Sequence, residues 1–185
     1  RIFLLISDLE LNYAIRSLKT ENLKTIIITI ETGFAKFRNS ISENRKLSIY
    51  NRIAYACFLI RDYDKSIEYL NRILNASNPK IEPEQHIFAR IRSLIVHFEA
   101  GNYDLLEYTV KSTRRFLERS NRIYKFEKLI LDFITKAMNY SEDDQRLGLY
   151  EELKYSIEKI SNDKFEKNIL HSARAWISAK LAQTT

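Results

Sequence analysis

Residues 61–74 read RDYDKSIEYLNRIL, and forty positions on, residues 101–117 read GNYDLLEYTVKSTRRFL. Each segment opens on a polar corner and runs into an amphipathic stretch. Asp62, Asn102 and Gly101 suit chain reversal and helix capping, because short polar side chains accept from the free amides at a helix start. After the first corner, Ser66, Ile67, Leu70, Ile73 and Leu74 recur at spacings that fall on one helical face. Before it, Tyr50, Ile53, Ala54 and Cys57 do the same. Two such helices joined by RDYD must bury their stripes against each other, and Tyr63 and Tyr103 are bulky enough to plug the corners. The stride extends to Leu23, Tyr63 and Tyr103, and to Ala14, Ala54 and Leu94 nine positions earlier.

Composition agrees with helices. The 185 residues include only three Gly and two Pro, so continuous helices are easily built. A single Cys, Cys57, excludes an intrachain disulfide framework and points to a reducing compartment, so a cytoplasmic location is expected. The apolar runs IFLLI (2–6) and TIIITI (25–30) fall far short of the roughly 20 residues that span a bilayer. The chain opens on Arg1, and Met138 is its only methionine, so it reads as the C-terminal part of a longer protein. A net charge of +6, from 30 basic and 24 acidic residues, is compatible with an acidic partner without requiring one.

Residues 47–79 resemble a tetratricopeptide repeat (TPR). Ile53 and Ala54 stand for its bulky-then-small step, Asp62-Tyr63-Asp64 for its turn, Ser66-Ile67-Glu68-Tyr69-Leu70 for its second helix, and Pro79 for its closing proline. Ser66 replaces the usual Ala. Units 7–41 and 87–119 match more loosely: Ile26, Leu94 and Leu106 stand where small residues are usual, Arg90 and His97 where apolar ones are, and the forty-residue stride exceeds the family's ~34. FARIRSLIVHFEAGNYDLLEYTVKSTRRFL (88–117) followed by NRIYKFEKLILDFI (121–134) also resembles the C-terminal portion of large, uncharacterised bacterial TPR-like proteins, a likeness over roughly the last two-thirds of the chain. The resemblance implies an all-α, TPR-like α-solenoid of stacked antiparallel hairpins, one domain over 1–185 with capping helices in 120–185.

Beyond 119 the stride fades while the helical period persists. Ile123, Phe126, Ile130 and Phe133 or Ile134 form one stripe, Leu147, Tyr150, Leu153 and Ile157 a second, and Phe165, Ile169, Ala173, Trp176 and Leu181 a third. Ser141 with Asp144, and Asp163 with Glu166, have capping-box spacing, and Pro83 suits a first helical turn. About nine helices are expected.

Motifs for catalysis are absent. There is no G-x-S-x-G, no Gly-rich phosphate loop and no H-E-x-x-H, and His86, His97 and His171 lack a second ligand at zinc spacing. No enzyme activity, metal or cofactor is expected. Two polar groups stand out on otherwise apolar positions: Arg90 and His97, read either as an internal pair satisfied by neighbouring carboxylates or carbonyls, for example Glu107, or as a pocket for a partner's carboxylate or phosphate. A second feature is the basic corner 111–128, where Lys111, Arg114, Arg115, Arg119, Arg122, Lys125 and Lys128 interleave with Phe116, Tyr124 and Phe126. Cations and rings together suit nucleic acid, whereas helical spacing marks Phe116 and Phe126 as core.

First helices of stacked hairpins line a concave groove. If the family register applies, Asn51, Tyr55 and Phe58 line it, followed by Phe88, Ile91 and Ile95, with the apolar ones alternatively in the core. The leading expectation is a protein-binding scaffold holding a peptide or helix there, with Arg90, His97, Arg114 and Arg115 as further contacts. The alternatives are nucleic-acid binding through the 111–128 corner and self-association.

Overall fold

Leu23, Tyr63 and Tyr103, the residues that carry the forty-residue stride, are each the first residue of a helix. The computed structural model describes residues 2–17, 19–37, 40–77, 83–119, 125–140, 143–160 and 167–183, the side chains at 4, 143, 167–171 and 183 aside. Among them lie nine helices: α1 (Ile2–Arg16), α2 (Leu23–Phe37), α3 (Glu43–Leu59), α4 (Tyr63–Leu74), α5 (Pro83–Glu99), α6 (Tyr103–Arg119), α7 (Lys125–Ala137), α8 (Asp143–Glu158) and α9 (Lys167–Gln183). None is long and apolar enough to cross a membrane.

The three stride positions share a local cause. Asn22, Asp62 and Asn102 immediately precede them, and each backbone carbonyl accepts the first helical hydrogen bond, from the amides of Ile26, Ser66 and Leu106. The Asp62 carboxylate also accepts from the Lys65 amide at 3.2 Å, satisfying one of the free donors at a helix start. One residue earlier the corners are again alike: Arg61 (φ 59°) and Gly101 (φ 73°) are both left-handed. Glycine adopts that conformation freely, whereas Arg61 adopts it at a cost.

The chain divides into two compact units, Arg1–Ala100 and Gly101–Thr185. In the first unit α1 packs on α2 and α3, α2 on α3, α3 on α4 and α5, and α4 on α5. The shared core includes Leu11, Ala14, Ile27, Ile53, Ala54, Leu70, Ala89 and Val96. Ala54 and Ser66 are fully buried, and the Ser66 hydroxyl donates to the Ala54 carbonyl at 2.8 Å. Small residues at both places let α3 and α4 approach this closely.

Charged side chains also tie the helices of this unit together. Asp8 on α1, 5% exposed, accepts from Arg45 at 2.9 Å and from Arg52 at 2.9 Å, both on α3. Glu31 on α2 accepts from the Tyr69 hydroxyl on α4 and pairs with Lys65 at 3.1 Å. Burial, followed by that hydrogen bond, pushes the Tyr69 hydroxyl well above the ordinary phenol range. At the other end of the α1–α2 contact, the Phe3 ring covers Gly33 where a side chain would otherwise stand.

In the second unit α6 packs on α7, α7 on α8 and α8 on α9. Phe133, Tyr150 and Trp176 meet with ring centroids 5.0 to 5.9 Å apart, joining the last three helices. Arg146 on α8, 4% exposed, donates to the carbonyls of Ala137, the last residue of α7, and of Tyr140 just beyond it, and to the Tyr103 hydroxyl at 2.9 Å. A guanidinium suits a helix C-terminus because free carbonyls and the negative end of the dipole gather there.

Several expectations meet their outcome here. Pro83 is the first residue of α5, as its fixed φ favours. Phe126, Ile130, Phe133, Ile134, Tyr150, Leu153, Ile157, Ala173 and Trp176 are buried. The two corner tyrosines, however, have different surroundings: Tyr63 packs its ring 5.9 Å from Phe58, while Tyr103 is 37% exposed with the Arg146 guanidinium over its ring. Tyr103 therefore does not repeat the corner packing of Tyr63. Pro79, Arg122, Ile123, Tyr124, Ser141, Asp163, Phe165 and Glu166, and the side chains of Ile169 and His171, lie outside the described residues.

Candidate functional site

The residues expected to line a groove on α3 are mostly inside. Asn51 is 7% and Tyr55 6% exposed, because this face of α3 lies against α5. The Asn51 side-chain amide donates to Gln85 at 3.3 Å, and its carbonyls accept from Arg92: the backbone oxygen at 2.7 Å and the side-chain oxygen at 3.0 Å. The Arg92 guanidinium also sits 4.9 Å from the Tyr55 ring centroid, whose face attracts a cation. Burial pulls Arg92 down to about 10. Sequence reasoning passed over Arg92; its signal was a cation one position after buried Ile91, reachable only by knowing that α5 covers α3.

Phe58 is half-buried between Tyr55 and Tyr63, at centroid distances of 6.2 and 5.9 Å. On α5, Ile91 is core at 2% exposure, while Phe88 and Ile95 are half-buried. Arg90 is half-buried and held below its ordinary pKa by burial. His86, one turn earlier, is lowered by burial and then by the charge of Arg90. His97 is 6% exposed and likewise lowered by burial. Glu107, the carboxylate expected to satisfy Arg90 and His97, is instead exposed and pairs with Lys111 on its own helix at 2.6 Å.

Three cations of the basic corner, Lys111, Arg114 and Arg115, have partners within the fold. Arg114 pairs with Asp132 of α7 at 3.2 Å, and the Arg115 Nε donates to the Lys111 carbonyl at 3.4 Å. Phe126 is 1% exposed and Phe116 half-buried, so the Phe126 ring offers no face for a base to stack on. Glu107, Lys111, Arg114 and Arg115 line an open groove of about 500 Å3 with Val110, Thr135 and Met138.

Cys57 is fully buried, and its thiol is pushed up to about 12, chiefly by burial. A thiol in that state is a poor nucleophile. Among the described residues no cluster of His, Cys, Asp and Glu could hold a metal ion.

The surface that stands out lies on α1. Ile2, Leu5, Ile6, Leu9 and Tyr13 are 75%, 50%, 50%, 59% and 64% exposed, and they fall on one side of the helix. The opposite side, with Leu11, Ala14 and Ile15, is in the core. An apolar face of this length differs from the scattered apolar residues of ordinary surfaces. Comparison with protein-family models, with curated proteins and with solved structures finds no match.

Proposed function

We propose that this chain is a non-enzymatic protein-interaction domain of TPR-like helical hairpins, and that it docks through the outward face of α1. The observation that carries the reading is the continuous exposed stripe Ile2, Leu5, Ile6, Leu9 and Tyr13. Apolar side chains left in water along three turns are stabilised by covering them; being half to three-quarters exposed, each contributes only about that fraction of the roughly 1.5 to 3 kcal/mol of full burial. The repeat reading draws support from the shared starts of α2, α4 and α6 and from burial of Ala14, Ala54 and Leu94. Asn51 and Tyr55 are part of the scaffold in this account, since their polar and aromatic groups are already engaged by Arg92.

A photo-crosslinking residue placed at Tyr13 in cells should give protein adducts, whereas one at exposed Lys24 on α2 should not. Absence of any adduct at Tyr13 would overturn the reading.

A further inference from the structure

We propose that the partner of the α1 face is a second copy of this chain, bound antiparallel about a two-fold axis. This rests on the interaction reading above and adds the identity of the partner. Ile2, Ile6, Leu9 and Tyr13 are spaced four, three and four, the alternation that keeps a seam on one side of two paired helices. The spacing is a palindrome. Reversing one helix sets Ile2 against Tyr13 of the other copy and Ile6 against Leu9, so one stripe complements itself, as an isologous interface requires.

Charge selects the direction. Arg16 is the one charged residue of α1 on the line of the stripe, and it is exposed. Parallel pairing would bring two Arg16 guanidinium groups together at one end. Antiparallel pairing separates them by roughly 25 Å along the axis at 1.5 Å per residue. The Asp8 carboxylate, which would otherwise charge this helix, points inward and is held by Arg45 and Arg52.

Area is sufficient. Wholly covered, the five residues would bury roughly 600 Å2 per copy, or about 1,200 Å2 for the pair, the lower end of specific interfaces. Such an area fits a reversible dimer more than an obligate one.

Sedimentation of the 185-residue chain at about 100 μM should give twice the 22.0 kDa chain mass, falling toward one chain on dilution. Leu9→Glu should return the mass to one chain with an unchanged circular dichroism spectrum, because position 9 touches water in the single copy. Direction is read by disulfide capture: an equal mixture of Ile2→Cys and Tyr13→Cys chains should cross-link, and neither alone should do so. Cross-linking of Ile2→Cys with itself would overturn the antiparallel arrangement. A wild-type chain that stays at one chain mass would overturn the dimer. In that event Tyr13 photo-adducts to a different protein would leave the interaction reading standing, and binding to phospholipid vesicles lost in Leu9→Glu would assign the face to a membrane surface instead.

Discussion

The Ser66 hydroxyl donates to the backbone carbonyl of Ala54 at 2.8 Å, with both residues fully buried where α3 meets α4. Ser66→Ala removes a donor while the carbonyl keeps its place in the α3 ladder, so the cost should be about 1 kcal/mol. Ala54→Leu forces extra carbon into the same contact and should cost about 1 to 3 kcal/mol. Urea denaturation of the two variants checks the order; an Ala54→Leu variant as stable as the wild type would contradict the close approach.

Asn51 and Tyr55 are load carriers of the α3–α5 packing, so their truncation should lower stability, contrary to the expectation of groove residues on the surface. Tyr55→Ala deletes a ring that is 6% exposed and should cost about 3 kcal/mol, as for other large aromatic truncations. Asn51→Ala leaves the Arg92 guanidinium short of one acceptor and should cost about 1 to 3 kcal/mol. Thermal melting separates this outcome from a surface role, which would leave the midpoint in place.

Arg61→Gly should stabilise the α3–α4 corner by about 1 kcal/mol, because φ 59° places a side-chain carbon in the left-handed region that glycine occupies without penalty. The natural chain makes this choice at the second corner, with Gly101 at φ 73°. Chemical denaturation of the variant gives the sign directly.

Burial holds the His97 imidazole below its ordinary pKa of 6.5 in the folded chain. Above 6.5 folded and unfolded states are both neutral there, and no pH dependence arises from this group. As pH falls below 6.5 the unfolded chain takes up a proton first, so stability drops until the lower folded pKa is passed. His86 shifts in the same direction, and its contribution adds to the slope. His97→Gln should flatten the decline in urea midpoint between about pH 7 and 5, leaving the His86 part. An unchanged slope would count against the buried neutral imidazole.

Cys57 should resist thiol reagents in the folded chain at about pH 8, since the thiol is fully buried and its pKa stands near 12. Labelling then reports opening of α3, and its rate should rise in Tyr55→Ala. Prompt stoichiometric labelling of the wild type would contradict the burial.

Helix starts and inward stripes were legible in the sequence because they are local. Asp62 caps its own turn, Pro83 sets its own φ, and residues three and four apart share a face whatever lies around them. Which face of a helix is finally covered was not local. The family register places Asn51 and Tyr55 in a groove, whereas α5 lies on that face of α3 and brings Arg92 onto both. Glu107, one example of a carboxylate for Arg90 and His97, pairs instead with Lys111 one turn along its own helix. α1 is apolar on both sides, with Leu11, Ala14 and Ile15 on one and Ile2, Leu9 and Tyr13 on the other. Periodicity therefore could not say which side meets water, and only the packing of α2 and α3 against the first side left the second exposed.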